Sequence, residues 1–134
     1  MPKRTATGIN VPLLALVGMM GWFIPGAGHW LLQERKRAII IFATIVALFV
    51  LGIYVGSVGV IDPVNEDLWY IAQMLTSPLV AALGQLTATR GYQSFGRPLE
   101  IGQIYTSIAG MLNLLCIINA LYLAGCRSRG EMEQ

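Results

Sequence analysis

Apolar residues along the chain fall into four stretches separated by short polar segments: residues 11–32, 38–61, 68–88 and 101–124. A helix needs about 20 apolar residues to cross a bilayer. The second and fourth stretches each supply 24 residues without a charge. We therefore expect an all-α fold, that of a polytopic helical membrane protein. A single integral-membrane domain would cover residues 1–134, with full transmembrane helices over 38–61 and 101–124.

The first and third stretches each contain a helix-breaking sequence. In the first, Pro25 with Gly26 and Gly28 follows an apolar run of 14 residues, which as a helix rises only about 21 Å. In the third, Ser77-Pro78 favours either a helix restart or a proline kink. We expect each stretch to be a broken helix or a re-entrant hairpin. The basic N-terminus and short apolar core of the first also fit a cleavable signal peptide.

The composition agrees with a membrane protein and excludes several other classes. Hydrophobic residues make up 55% of the chain and charged residues only 12%, whereas soluble domains carry about 25% charged residues. The net charge of +2 is too small for a surface that follows nucleic-acid phosphates. We therefore expect the lipid bilayer as partner and no nucleic acid, and we exclude a soluble globular domain and a disordered chain.

Charged residues in the polar segments predict which end of the molecule faces the cytoplasm. Segment 33–37 contains Arg35, Lys36 and Arg37, whereas segment 62–67 contains three acids and no basic residue. Because basic residues favour the cytoplasm, we expect 33–37 inside and 62–67 outside. Four crossings would divide the nine basic residues 5 to 4, whereas a re-entrant first stretch, alone or with a re-entrant third, divides them 7 to 2. The same three basic residues are candidate contacts for anionic lipid headgroups.

Small residues mark one face of each predicted full helix. Helices in lipid approach each other closely where side chains are small. Asn113 lies near the middle of the fourth stretch, where its amide needs a partner, either an interhelical hydrogen bond or a bound substrate or ion. The predicted helix-packing positions are Gly52, Gly56 and Gly59 on the second helix, and Gly102, Thr106, Gly110 and Asn113 on the fourth.

The sequence contains no recognisable catalytic constellation. His29 is the one histidine, and no Ser-His-acid set, HExxH motif or phosphate-binding loop accompanies it. We therefore expect no enzymatic activity, no cofactor and no metal site. We interpret His29 next to Trp30 as an interfacial, hydrogen-bonded pair rather than as a metal ligand.

One segment resembles a known pattern. Pro25-Gly26-Ala27-Gly28-His29-Trp30, followed by Arg35-Lys36-Arg37 and a long apolar helix, resembles uncharacterised small bacterial membrane proteins with a Pro-Gly-x-Gly-His signature. These are loosely akin to the two-transmembrane-helix domain family. The resemblance covers about residues 12–57. It implies paired helices around a turn formed by Pro25, Gly26, Gly28 and His29, and a place in the bacterial inner membrane, but no defined biochemical function.

Two functions compete on this basis. The first is a structural or accessory subunit that packs against other membrane proteins or against itself. The second is a small oligomeric transporter or channel, because broken helices at membrane depth often mark binding sites. A pore predicts several polar residues on one cavity wall, whereas packing predicts that they pair off. The polar residues that would line a path are Gln73, Gln85, Gln103, Asn113 and Asn119.

Overall fold

The computed structural model describes residues 10–63, 67–91 and 96–129, and the regular secondary structure of these residues is helical. The predicted all-α class is confirmed. Over the described ranges there are six α-helices and one short 3-10 turn. The helices are α1 (Val11–Phe23), α2 (Ala27–Leu31), α3 (Arg35–Gly56), α4 (Asp67–Met74), α5 (Leu79–Arg90) and α6 (Arg97–Ser128), with the 3-10 turn at Val58–Val60 between α3 and α4.

Two of these helices, α3 and α6, are long and apolar enough to cross a membrane. They have 22 and 32 residues, which corresponds to about 33 and 48 Å. The two helices are antiparallel. The last turns of α3 contact the first turns of α6 at Gly52, Gly56 and Gly102. This helix pair is the largest contact in the fold and forms its axis.

The ends of the two long helices differ from the predicted ranges 38–61 and 101–124. Helix α3 begins at Arg35 and ends at Gly56, because Ser57 adopts a φ of +66° that interrupts the helix. Gly59 therefore lies in the 3-10 turn and not on α3, which corrects its assignment to a helical face. Helix α6 begins after Gly96, whose φ is +79°, with a proline in its first turn.

The first broken stretch folds back on itself. After α1, Ile24 is extended with φ −131° and ψ 115°, as expected before a proline. Gly26 then adopts a φ of +85°, and a Cβ there would lie 2.6 Å from the Ala38 carbonyl oxygen, so only glycine suits this turn. Helix α2 returns alongside α1, with Leu32 and Val17 buried in one apolar cluster.

The second broken stretch also folds back, and it restarts as a new helix after the break. Ser77 Oγ accepts a hydrogen bond from the Leu79 amide at 3.3 Å, so this side chain caps the start of α5. Helix α5 then returns beside α4, where Gly84 lies against the ring of Tyr70. Near the base of this hairpin, Thr87 Oγ1 donates to the Ile61 carbonyl at 2.6 Å.

The two hairpins enter from opposite ends of the α3–α6 pair. The base of the first lies at the C-terminal end of α6, where Leu32 packs with Ala120 and Ala124. The base of the second lies at the other end, beside Ile61 and the 3-10 turn. Each hairpin is followed by one long helix, so residues 11–56 and 67–128 repeat the same order of elements in opposite directions. The tips of the hairpins meet beside the middle of α6.

Candidate functional site at the hairpin tips

The side-chain amide of Asn113 lies where both hairpin tips reach α6. Asn113 is fully buried. Its Nδ2 shares two hydrogens among three carbonyl oxygens: Leu75 and Thr76 at 2.9 Å each, and Gly21 at 3.3 Å. The first two belong to the break after α4, and the third belongs to the last turn of α1. One side chain of α6 therefore holds the tips of both hairpins.

Two prolines explain why the tips need outside donors. In a helix, the carbonyls of Gly21 and Met74 would accept hydrogen bonds from residues 25 and 78, but Pro25 and Pro78 have no amide hydrogen. Asn113 Nδ2 serves the Gly21 carbonyl instead. A buried carbonyl without a partner costs about 1–3 kcal/mol, so these replacement donors stabilise the breaks.

Direct hydrogen bonds also join the two tips. Trp22 Nε1 of the first hairpin donates to the Met74 carbonyl of the second at 3.0 Å. In the opposite sense, Ser77 Oγ of the second donates to the Phe23 carbonyl of the first at 2.9 Å. Each hairpin thus supplies a donor to a carbonyl that the other leaves open.

Gly110 brings α4 close to α6 just before Asn113. A Cβ at Gly110 would overlap the carbonyl oxygen of Ala72 in the last turn of α4. Any larger residue would push the second hairpin away from α6. The missing side chain of Gly110 is therefore what allows Asn113, three residues later, to reach the carbonyls of the break.

Apart from Gly59, the remaining predicted helix-packing positions lie at the contact between α3 and α6. A Cβ at Gly52 would lie 2.7 Å from Thr106 Cγ2 and 2.9 Å from the Gly102 carbonyl oxygen. A Cβ at Gly56 would lie 2.9 Å from the Pro98 carbonyl oxygen. These small residues face each other within one chain, so this contact is intramolecular.

Two further polar side chains connect helices inside the protein. Gln73 of α4 is fully buried, and its Nε2 donates to Thr106 Oγ1 at 2.8 Å and to the Val60 carbonyl at 3.2 Å. His29 of α2 is also buried, and its Nε2 lies 3.1 Å from Asn119 Oδ1 of α6. His29 therefore contacts Asn119 of α6, whereas its neighbour Trp30 is 52% exposed, and the expected interfacial position of the two residues stays a prediction.

The end of the molecule that carries α2, the start of α3 and the end of α6 is basic. Arg127 Nη2 lies 3.0 Å from Glu34 Oε1, and Arg127 also donates to the Leu32 carbonyl. Arg37 lies at 3.9 Å from the same Glu34 carboxylate. Arg35 lies over the ring of Trp30, with its Cζ 5.7 Å from the ring centroid.

A family model matches residues 16–130, from the middle of α1 beyond the end of α6. The chain belongs to the DUF6677 family, a family of unknown function. Comparisons with curated proteins and with solved structures give no match. The match agrees with the expected membership of an uncharacterised family, whereas kinship with the two-transmembrane-helix domain family stays a prediction. Because the DUF6677 match covers most of the first hairpin, the second hairpin and both long helices, the family unit includes the site where the tips meet.

The polar side chains at the hairpin tips of this DUF6677 chain form hydrogen bonds to backbone carbonyls. Among the residues that the structure describes, there is no group of three or more His, Cys, Asp and Glu that could hold a metal ion. Of the five polar residues considered for a path, Gln85 and Asn119 are exposed, whereas Gln73, Gln103 and Asn113 are buried. Two of the buried residues, Gln73 and Asn113, bond across helix contacts.

The sequence pattern does not predict the hydrogen-bond partners at the hairpin tips and at the basic end of the molecule. Four side chains form hydrogen bonds between distant parts of the chain that the sequence did not predict. They are Trp22, Ser77, Glu34 and Arg127. One signal was available: each proline break leaves a carbonyl that needs a donor. That signal does not reveal which distant residue supplies the donor.

Proposed function

We propose that this protein is a non-enzymatic integral membrane protein of the bacterial inner membrane, in which α3 and α6 span the bilayer. The support is the outward position of their apolar side chains. Only 17% of the most apolar part of α3 and 28% of that of α6 are buried within the protein. The core helix of a soluble protein is mostly buried, whereas lipid accepts an apolar exterior.

In this proposal the two hairpins are re-entrant and dip into the bilayer from opposite faces. Non-helical backbone is tolerated at membrane depth only where other groups shield it and satisfy its hydrogen bonds. The contacts of Asn113, Trp22 and Ser77 with the carbonyls of the two breaks supply this shielding.

The proposed orientation places the basic end of the molecule in the cytoplasm. Lys3 and Arg4 lie outside the described residues, as do residues 64–66 of the acidic segment. Among the described basic residues, five lie at the end that carries the base of the first hairpin, and two lie at the other. The five are Arg35, Lys36, Arg37, Arg127 and Arg129, and the two are Arg90 and Arg97.

The function that this geometry supports best is that of a structural or accessory subunit in a larger membrane assembly. The observation that carries it is the role of Asn113. Its amide holds three backbone carbonyls of the two hairpin tips. A polar group in this role maintains a rigid shape and leaves no donor for a ligand. The internal hydrogen bonds thus hold the helices in fixed positions, and the apolar side chains on the outside can contact lipid and other helices.

Cysteine labelling in membrane vesicles tests the arrangement. Single cysteines replace Lys36, Asp67, Arg90 and Arg129 in a background with Cys116→Ala and Cys126→Ala. We expect an impermeant thiol reagent to label positions 67 and 90 only in right-side-out vesicles, and positions 36 and 129 only in inside-out vesicles. Labelling of 67 and 90 from opposite sides would mean that α4 and α5 cross the bilayer. Release of the protein by alkaline carbonate without detergent would overturn membrane embedding altogether.

A transporter or channel is the second candidate, and one observation favours it. Several buried polar atoms of α4, of the break after it and of α6 have no hydrogen-bond partner among the described residues. They are Gln73 Oε1, Thr76 Oγ1, Gln103 Nε2, Ser107 Oγ and Asn113 Oδ1. Such atoms usually bind water, and a continuous line of water is the first requirement of a polar path.

Flux measurements distinguish the two functions. If the protein is an accessory subunit, vesicles that contain it should pass K⁺ and small neutral solutes no faster than empty vesicles do. A channel predicts flux that Ser107→Ala abolishes at unchanged thermal stability. Thr89→Ala, which changes an exposed hydroxyl bonded only within its own helix, is the matched control and should leave that flux intact.

A further inference from the structure

An apolar groove runs along the outer side of α3 from the basic end of the molecule. Its first part is a cavity of about 390 Å³ between the first hairpin and α3, and its lining includes Trp30, Ala38 and Phe42. Its second part is a cavity of about 300 Å³ that reaches Phe49 and the tip of the second hairpin. Both parts share Ile24, Pro25 and Phe42, so they form one continuous groove.

The length of the groove matches one leaflet of a bilayer. From Ala38 to Phe49 the groove follows 11 residues of α3, which is a rise of about 16 Å. Half of a hydrocarbon core of roughly 30 Å is about 15 Å. An acyl chain that starts at the basic end would therefore fill the groove and end near the hairpin tips.

The mouth of the groove carries positive charge. Arg35 lies over Trp30, and the Trp30 ring lines the groove. Arg35 and Lys36 are exposed, and among the described side chains no carboxylate lies within ion-pair distance of either. The nearby Glu34 is already engaged by Arg37 and Arg127. A negative group placed above the groove would thus meet two cations that no described carboxylate neutralises.

From this juxtaposition we infer that the groove binds an anionic glycerophospholipid, with its phosphate on Arg35 and Lys36 and one acyl chain along α3. This inference rests on the proposed membrane location and adds a specific partner to it. A partner helix would also suit an apolar groove, but it would not require two cations at one end. The charge complementarity therefore favours the lipid.

Lipid titration of the purified full chain tests the inference. Phosphatidylglycerol and phosphatidylcholine with the same acyl chains are added in detergent, and native mass spectrometry counts the bound lipid. We expect one phosphatidylglycerol per chain, bound roughly thirtyfold more tightly than phosphatidylcholine, since each basic residue near a membrane surface contributes a several-fold factor. The double variant Arg35→Gln/Lys36→Gln should lose this preference. Equal affinity of the unaltered protein for both lipids would overturn the proposal.

Two further variants distinguish a specific lipid-binding site from non-specific electrostatic attraction. Arg90→Gln/Arg97→Gln removes two exposed basic residues at the other end of the molecule and should leave the preference unchanged. If it removes the preference equally, the lipid is held by net charge alone and the inference is wrong. Ile39→Trp narrows the groove and should weaken the binding of both lipids. If instead it changes only the oligomeric state, a helix occupies the groove and the inference is again wrong.

The vesicle labelling experiment separates the two proposals. A protein that labels as expected but binds both lipids equally is a membrane protein without this lipid site. A protein that alkaline carbonate releases from the membrane contradicts both proposals.

Discussion

The Gly110→Ala protein is expected to be at least about 3 kcal/mol less stable than the natural chain, at the upper end of the usual cost of overpacking. The added methyl group would occupy the space of the Ala72 carbonyl oxygen. This neighbour is backbone and cannot rotate away as a side chain can. Helix α4 must therefore move, and Asn113 then loses the Leu75 and Thr76 carbonyls. Thermal unfolding in a single detergent measures the effect.

Gly125→Ala is the matched control for this prediction. Gly125 lies on the same helix and is buried, but the nearest atom to an added Cβ is the end of the Arg129 side chain at 4.0 Å. Alanine is also the better helix former by about 1 kcal/mol, so Gly125→Ala should be neutral or stabilising. Equal unfolding temperatures for the two variants would mean that α4 does not pack against Gly110.

Asn113→Leu is expected to cost about 3 kcal/mol. One interhelical hydrogen bond in a membrane averages only about 0.6 kcal/mol, but this substitution removes the donor from three carbonyls, two in buried hydrogen bonds and one in a partly buried bond. Each unsatisfied carbonyl costs about 1–3 kcal/mol before the structure relaxes. Ile108→Leu, on the exposed side of α6, keeps the size of the side chain and should change the unfolding temperature little.

The transporter candidate makes the opposite prediction for Asn113→Leu. It expects nearly unchanged stability together with the loss of a flux signal. An Asn113→Leu protein as stable as Ile108→Leu would therefore remove the main support for a bracing role.

Local sequence signals anticipated much of the fold. Uncharged apolar length predicted α3 and α6, and the breaks at Pro25 and Ser77-Pro78 lie where the structure turns. Proline and glycine act through their own backbone, so their effect is readable without knowledge of the rest of the chain. The small residues of the fourth stretch likewise marked a face of α6 that is buried in the structure.

The direction of the chain after each break was not readable in the same way. A proline shows that a helix stops, but whether the next segment continues or returns depends on contacts with residues far away in sequence. Asn113 lies 92 residues after Gly21, and Trp22 lies 52 residues before Met74. The end of α3 was missed for a related reason, since the apolar run continues to Ile61 while Ser57 adopts a left-handed φ. Hydrophobicity carries no information about that backbone angle.

The position of Asn113 on the last helix has a consequence for the synthesis of the protein. A ribosome adds roughly 5–20 residues per second, so the 92 residues between Gly21 and Asn113 take about 5–18 s to make. Throughout this interval the first hairpin exists without the amide that satisfies its broken end. An open carbonyl in hydrocarbon costs several kcal/mol, so the hairpin has to remain in contact with water or with the insertion machinery. The two hairpin tips can therefore assemble on α6 only after Asn113 has been synthesised.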